Sequence, residues 1–393
     1  MRVVGVVAEY NPFHLGHAHH LAEARRLAHA DAVVVVMSSV FTQRGDAAIL
    51  SPADRAKMAL SAGADAVFAL PAAWAVRDAE HFALGSVSIL AGLGCDAISF
   101  GTESTDLTAL QTVARLLESP DEGFSASVRT HMNVGLPYPA ALSAALDAVM
   151  PGCGSLLEKP NSTLAVCYLR ALLRLGTDME VVPVQRLGGY HDSTLGDSLP
   201  SATALRGAIL RGNWAQVRAA MPAEAYAILR DAAVQGHLHR PDALDAALLY
   251  RLRTMSTVDY AALPDVSEGI EHRLSAAAEI ARSREELLQS AKTRRYPYAR
   301  LSRMATHALL GLTDAELAAL PLPETAWLLG FRKDARDLFT HFKEKGRLPI
   351  LGKAADIDRR TPWFAAEARA YDVWSLGAGM PSGLALTQGV TVL

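Results

Sequence analysis

The reading of the fold turns on residues 3–20, VVGVVAEYNPFHLGHAHH. Val3, Val4, Val6 and Val7 form a short β-branched run, the pattern of a strand covered on both faces in a parallel sheet. Asn11-Pro12 breaks it, because proline has no N–H for a ladder and asparagine favours turns. From Ala18 the pattern turns helical, with Leu21, Ala24 and Leu27 on one face. His14 and His17 stand three apart at this junction, with Gly16 between them. A helix N-terminus carries unpaired N–H groups and partial positive charge, and so suits phosphate. Two imidazoles one turn apart can face one anion and stabilise charge that develops on a phosphoryl group. Gly16 lets the backbone come close to a ligand. On residue types alone the pair reads equally well as surface histidines at a helix start. A metal pair is disfavoured, because no carboxylate or cysteine spacing completes a site. The strand–loop–helix context favours phosphate.

Outward from this stretch, strands and helices alternate. Residues 31–37, DAVVVVM, read as a second buried strand and lead into the loop SSVFTQRGDAAIL, residues 38–50. Ligands of doubly wound sheets bind at the carboxyl ends of strands, so Arg44 in this loop is a candidate for phosphate or RNA contact; a solvated loop arginine is the plain alternative. Ser51-Pro52-Ala53-Asp54 has the chemistry of a helix start. Ala66–Leu70 is a third strand, 81–93 a helix, and 96–100 a fourth strand that runs into Gly101-Thr102-Glu103. This alternation predicts an α/β fold with a Rossmann-like parallel sheet. No GxGxxG follows the first strand and no GxxxxGK[ST] occurs, which disfavours a dinucleotide-redox site and a P-loop.

Residues 104–158 read as mostly helical, interrupted by prolines and glycines. Asn161 in Glu158-Lys159-Pro160-Asn161-Ser162 falls before a helix, where a capping role is expected. Val181–Val184 is a further strand, followed by QRLGGYHD, which sets Arg186 at a strand end. In Ser201-Ala-Thr203-Ala-Leu-Arg206, hydroxyls and N–H groups at a helix start can hold phosphates while the arginine offsets their charge. Beyond 206 the chain is almost wholly helical, with 268–288 read as one long segment. From Arg282 to Arg303 there are seven Lys/Arg residues and two acids, interleaved with Tyr296 and Tyr298. Basic groups bind a nucleic-acid backbone and aromatic rings stack on unpaired bases, so this is a candidate RNA surface beside the ordinary reading of a solvated helix face. The last portion, from about 311, reads as mixed α/β.

Half of the 393 residues are hydrophobic and a fifth are charged, as in globular chains. A net charge of −3 gives no overall basic character, so any RNA surface must be local. Cys95, Cys153 and Cys167 are too few and too scattered for a disulfide framework or a zinc cluster and fit a reducing compartment. No apolar run approaches the ~20 residues a membrane helix needs. The expectation is a cytoplasmic protein with neither a membrane nor a protein partner.

His14-Leu15-Gly16-His17 resembles the HxGH signature of the nucleotidylyltransferase superfamily. The longer string GVVAEYNPFHLGH resembles the N-terminus of the tRNA(Met) cytidine acetate ligase family. The QRG loop, FGTE at 100–103, KPN at 159–161, SATALR at 201–206, SEGIE at 267–271 and KTRRY at 292–296 are similar to segments of that family. Leu15, where the family often has a polar residue, and the alanine-rich QRG loop depart from it. The resemblance implies catalytic roles for His14 and His17. It implies nucleotide contacts along Val7, Ala8, Glu9, Tyr10, Asn11, Pro12, Phe13, Leu15, Gly16, Ala18, His19 and His20. Further nucleotide contacts fall at Gly101, Asn161, Arg186, Leu187, Ser201, Thr203 and Arg206. RNA contacts are implied for Arg44, Lys292, Arg294, Arg295, Tyr296, Arg300 and Arg303. The implied organisation is a catalytic portion 1–206, a helical tRNA-binding portion 207–310 and a C-terminal portion 311–393. The implied activity uses ATP, with Mg2+, to activate acetate as acetyl-adenylate. The acetyl group then passes to N4 of the wobble cytidine of elongator tRNA(Met), without acetyl-CoA. Two other readings are a nucleotidylyltransferase acting on a small phosphate metabolite and a non-catalytic RNA-binding protein.

Overall fold

The computed structural model describes residues 1–185 and 201–393. Five parallel strands, β1 (Val3–Ala8), β2 (Ala32–Ser38), β3 (Ala66–Leu70), β4 (Ala97–Thr102) and β5 (Glu180–Gln185), lie in the order β5-β4-β1-β2-β3. The side chains of β1 to β4 are largely buried on both faces, while β5 is partly exposed. Val33, Val35 and Met37 of β2 enter one core layer, while Val34 and Val36 enter the other. That is why these strands read as continuous apolar runs rather than alternating ones. Pro183 is tolerated because β5 is the edge strand. On the far side, β6 (Ala326–Phe331) pairs antiparallel with β3, and β7 (Ile350–Leu351) and β8 (Thr391–Val392) pair with β6. The strands beyond 311 thus extend the sheet that begins at Val3. Strand order reverses between β1 and β4, which opens a crevice at their carboxyl ends.

Helix α1 (Leu15–Leu27) begins three residues before the expected Ala18, because His14 itself caps it. Leu21 and Ala24 are buried, and Leu27 is exposed. Helix α2 (Pro52–Ser61) starts as its sequence predicts, with Ser51 Oγ accepting from the Asp54 N–H at 3.1 Å. Helix α3 (Ala79–Gly92) and helix α4 (Pro160–Leu175) pack together on one face of the sheet. Because α4 already starts at Pro160, Asn161 lies in its first turn and is not the cap.

Helix α5 (Ala202–Leu210) and the two helices after it bury Leu205, Ala208, Val217 and Leu229 in the core layer that also holds Val33 and Val35. Residues 248–308 enclose a separate core around Leu252, Leu274, Leu287 and Met304. The segment expected to be one helix over 268–288 is two, α6 (Ile270–Ile280) and α7 (Arg284–Ala291). Ala281 is extended, and Ser283 caps the second helix by accepting from the Glu286 N–H at 3.1 Å. Helices α8 (Tyr298–Leu310) and α9 (Pro362–Gly377) complete the parts that bear on the site. Among the described residues no helix is long and apolar enough to cross a membrane.

Candidate active site

A cleft of about 620 Å³ lies at the carboxyl ends of β1, β4 and β5. Its floor is the end of β1 and the turn after it: Val7, Ala8, Glu9, Tyr10 and Asn11. Helix α1 contributes Gly16, His17, His19 and His20, with His14 at its cap. Gly101 ends the β4 side, Asn161 comes from α4, and Ser201, Thr203 and Arg206 come from the start of α5. Arg44 reaches it from the QRG loop. Pro12 and Phe13 do not line the cleft: both are buried, and Phe13 packs into the core beside Tyr10. Leu15 and Ala18 lie on α1 outside the lining. Arg186 and Leu187 lie outside the described residues.

The two histidines form one unit. Their rings stack at 3.6 Å between centroids with planes 21° apart, and Tyr10 and Phe13 stand against His17 at 4.9 and 5.5 Å. His14 Nδ1 accepts from the Gly16 N–H at 3.1 Å, and His17 Nδ1 accepts from the His14 N–H at 3.2 Å. With each Nδ1 accepting, the neutral rings carry their protons on Nε2, which makes Nε2 the donor suited to a phosphoryl oxygen. The cap therefore sets the tautomer of both imidazoles and orders α1 at the same time.

Arg206 joins the last motif to the first. Its Nη1 donates to the Asn11 carbonyl at 2.7 Å, and its Nη2 reaches Thr203 Oγ1 at 3.3 Å. Burial pushes the guanidinium pKa down, and Asp46 and Glu9 offset part of this. Asn11, which precedes a cis peptide to Pro12, accepts from the Ile49 N–H through Oδ1 at 2.8 Å. Ser201 Oγ caps α5 by accepting from the Ala204 N–H at 3.1 Å. The N-terminus of α5, two hydroxyls and a guanidinium thus converge on the same cleft as the histidines.

Glu9 is a carboxylate inside this cleft. Its Oε1 accepts from the Gln43 N–H at 2.6 Å. Burial raises its pKa, against the lowering effects of that bond and of Arg44 and Arg206. Its own carbonyl accepts from Nη1 of Arg55, at 2.7 Å. Arg55 is fully buried and also donates to the carbonyls of Ser38, at 2.9 Å, and Leu50, at 3.2 Å, so one guanidinium ties together the ends of β1 and β2. Burial lowers its pKa to about 10.

Three contributors are absent from the sequence reading. Glu103 accepts from the Asn161 side-chain amide, and through Oε2 from the N–H and hydroxyl of Ser162 at 2.8 and 2.9 Å. Burial pushes its pKa up, but the bonds from Asn161 and Ser162 prevail and lower it. This acid is the signal that FGTE grips KPN. Arg55 was visible as a cation among Ala56 and Ala59 on a face that must be buried. Tyr168, two turns after Asn161 on α4, stacks on Phe100 at 5.5 Å and, with Phe82, Leu164 and Val184, makes an apolar wall.

The basic stretch divides in two. Lys292, Arg294 and Arg295 are exposed, and Arg295 pairs with Glu268. Tyr296 is buried, with its hydroxyl on Ser267, so it is a core ring and not a stacking platform. Arg303 is buried against Asp265 at 3.0 Å. Arg300 lies 4.5 Å over the Tyr296 ring and donates to the Asp265 carbonyl at 2.6 Å. Asp265 and Ser267 have drawn these three side chains into the fold, which sequence spacing could not show. The exposed Arg44 sits on a loop docked to α8: Ser302 Oγ donates to the Arg44 carbonyl and Thr306 Oγ1 to the Gly45 carbonyl, both at 2.6 Å.

Comparison with known proteins places the whole chain in a family. Residues 1–383 match the family described as HIGH Nucleotidyl Transferase. A tRNA(Met) cytidine acetate ligase from Bacillus licheniformis is 36% identical over 99% of this chain and 95% of its own. One from Bacillus subtilis is 32% identical over 96% and 92%. The crystal structure of Thermotoga maritima TmcAL bound with alpha-thio ATP superposes with a TM-score of 0.91 at 27% identity, covering all of both chains. The apo form gives 0.93. The chain belongs to the HIGH nucleotidyl transferases and, within them, to the tRNA(Met) cytidine acetate ligase family.

Proposed function

We propose that this protein activates acetate with ATP and transfers the acetyl group to N4 of the wobble cytidine of elongator tRNA(Met). The observation that carries the reading is the joining of the two signature motifs, through Arg206 and Asn11, across one cleft. An acetate oxygen attacks the α-phosphorus of ATP, the bond to the β-phosphate oxygen breaks, and pyrophosphate leaves with those electrons. Acetyl-adenylate remains. His14 and His17 donate through Nε2 to the α-phosphoryl oxygens as charge builds there. The α5 N-terminus, with Ser201, Thr203 and Arg206, holds the leaving pyrophosphate. Adenine lies against the wall of Phe100, Leu164 and Tyr168, with Asn161 and Gly101 at its edge. The amine of cytidine then attacks the acetyl carbonyl, and AMP departs.

No covalent nucleophile is called for; the chain supplies positioning and electrostatics. ATP arrives with Mg2+, held chiefly by its phosphates. Among the described residues no group of three or more His, Cys, Asp or Glu side chains is arranged to hold a metal ion. Acetyl-CoA has no part in the reading, and the chemistry belongs in the cytoplasm, where ATP and tRNA meet. Lys292, Arg294, Arg295 and Arg44 are the exposed cations offered to the RNA backbone.

The test is exchange of labelled pyrophosphate into ATP without RNA. Exchange that requires acetate, followed by acetyl transfer to methionine tRNA and release of AMP, is expected. Adenylyl transfer to a phosphate metabolite, with no acetate dependence, would replace this reading by the nucleotidylyltransferase one.

A further inference from the structure

Glu9 poses an electrostatic problem that the activation step does not solve. ATP and acetate are both anions, and a carboxylate in their cleft repels both. Among the described residues Glu9 makes no ion pair that would cancel this charge; Arg44 and Arg206 act on it only through space. The side chain is nevertheless held firmly. The Gln43 N–H grips Oε1 at 2.6 Å, and Arg55 grips the Glu9 carbonyl at 2.7 Å. A fixed carboxylate favours a partner that donates N–H groups or becomes positive during reaction. Acetate and phosphate do neither, but an attacking amine does both.

The position fits the second substrate. The Gln43–Gly45 turn that grips Glu9 is docked on α8 by Ser302 and Thr306, and its exposed side chain is Arg44. Glu9 therefore stands where the nucleotide cleft meets the loop that carries Arg44, a cation the proposed function offers to RNA.

We propose that Glu9 is the catalytic base of acetyl transfer, receiving a proton from the exocyclic amine of cytidine. The inference rests on the ligase reading above. The N4 lone pair forms the N–C bond to the acetyl carbon, and one N4 proton moves to the Glu9 carboxylate. The bond from that carbon to the AMP phosphate oxygen breaks, AMP leaves as the anion, and Glu9 returns its proton to solvent. Burial among these groups raises the carboxyl pKa toward the range in which such a transfer is efficient.

The experiment compares the two half-reactions in the full chain, as wild type, Glu9→Gln and Glu9→Asp. Acetate-dependent pyrophosphate exchange, with the KM for ATP, reads activation. Single-turnover passage of labelled acetyl to a methionine tRNA transcript reads transfer. Glutamine keeps an acceptor for the Gln43 N–H, so the loop stays in place. The ratio of transfer to exchange is expected to fall about 100-fold in Glu9→Gln and to recover in part in Glu9→Asp. An unchanged ratio, with both rates reduced or the KM for ATP raised, would make Glu9 a nucleotide contact and overturn the proposal. A wild type without acetate-dependent exchange would instead remove the ligase reading, and the proposal with it.

Discussion

Arg206 Nη1 donates to the main-chain carbonyl of Asn11 at 2.7 Å, across 195 positions of sequence. That one bond ties the start of α5 to the turn that leads into the histidine cap. Replacing Arg206 with methionine leaves the Asn11 carbonyl without its charged donor. We expect a stability loss of about 2 kcal/mol and a fall in pyrophosphate exchange of roughly 100-fold. Lysine, which can reach one acceptor but not two in a fixed fork, should restore stability more than exchange. Thermal denaturation alongside exchange kinetics separates the two effects.

His14 caps α1 and also presents an imidazole to the cleft, and one substitution parts the proposed role of the ring from the cap. Asparagine keeps a good capping acceptor for the Gly16 N–H and removes the ring. His14→Asn should unfold close to the wild-type temperature yet lose exchange by roughly 100-fold. His14→Ala should lose about 1 kcal/mol in addition. If His14→Asn exchanged pyrophosphate at the wild-type rate, the imidazole would be a cap and nothing more.

Gly45 is the residue on which the loop turns. Its φ is +82°, and a Cβ there would stand 2.8 Å from the Ser302 carbonyl oxygen. Gly45→Ala should cost about 2 kcal/mol, from left-handed strain and crowding combined. It should also slow acetyl transfer, because the loop that moves is the one holding Glu9. Hydrogen exchange at Gln43 and Arg44 would report the loosening directly.

Glu367 is buried on α9 and accepts from the Ala72 N–H. Burial pushes its carboxyl from the ordinary 4.5 to about 7, and the hydrogen bond opposes this only in part. The native state therefore binds more protons than the unfolded chain between these two values. Stability from this group is highest below about pH 4.5 and falls as pH rises toward about 7. The whole change is on the order of 3 kcal/mol at most. Glu367→Gln should flatten that segment of the stability–pH curve and leave the protein more stable than wild type at pH 8. Denaturant melts from pH 4.5 to 8 are the check, and a curve with the wild-type slope would refute it.

The basic stretch should respond to mutation in two distinct ways. Reversing Lys292, Arg294 and Arg295 to glutamate should weaken tRNA binding and lower the salt slope by about one for each phosphate these side chains neutralise, with exchange unaffected. Tyr296→Ala, which empties a core site, should cost about 3 kcal/mol of stability without a comparable change in the salt slope. Filter binding across a salt series, beside thermal melts, distinguishes the classes.

Much of this protein was written in local sequence. The valine-rich runs dictated strands buried on both faces, because no polar alternation offers a solvent side. Pro52 after Ser51 set the start of α2, and HLGH after a strand set the start of α1. What the sequence could not carry was partnership at a distance. The break at Ala281–Ser283 lies within a run of helix formers, and the capping by Ser283 decided it. Asn161 looked like a cap until the helix began at Pro160 and Glu103 took its amide. Tyr296 and Arg303 matched an RNA surface by composition, yet Ser267 and Asp265 drew them inward. The C-terminal strands found their place only by pairing, β6 with β3 and then β7 and β8 with β6. Periodicity and capping act over a few residues and are legible one segment at a time. Burial and hydrogen-bond satisfaction are settled by whichever groups the fold brings together, and those were as much as 326 positions apart, as Ala48 and Trp374 are.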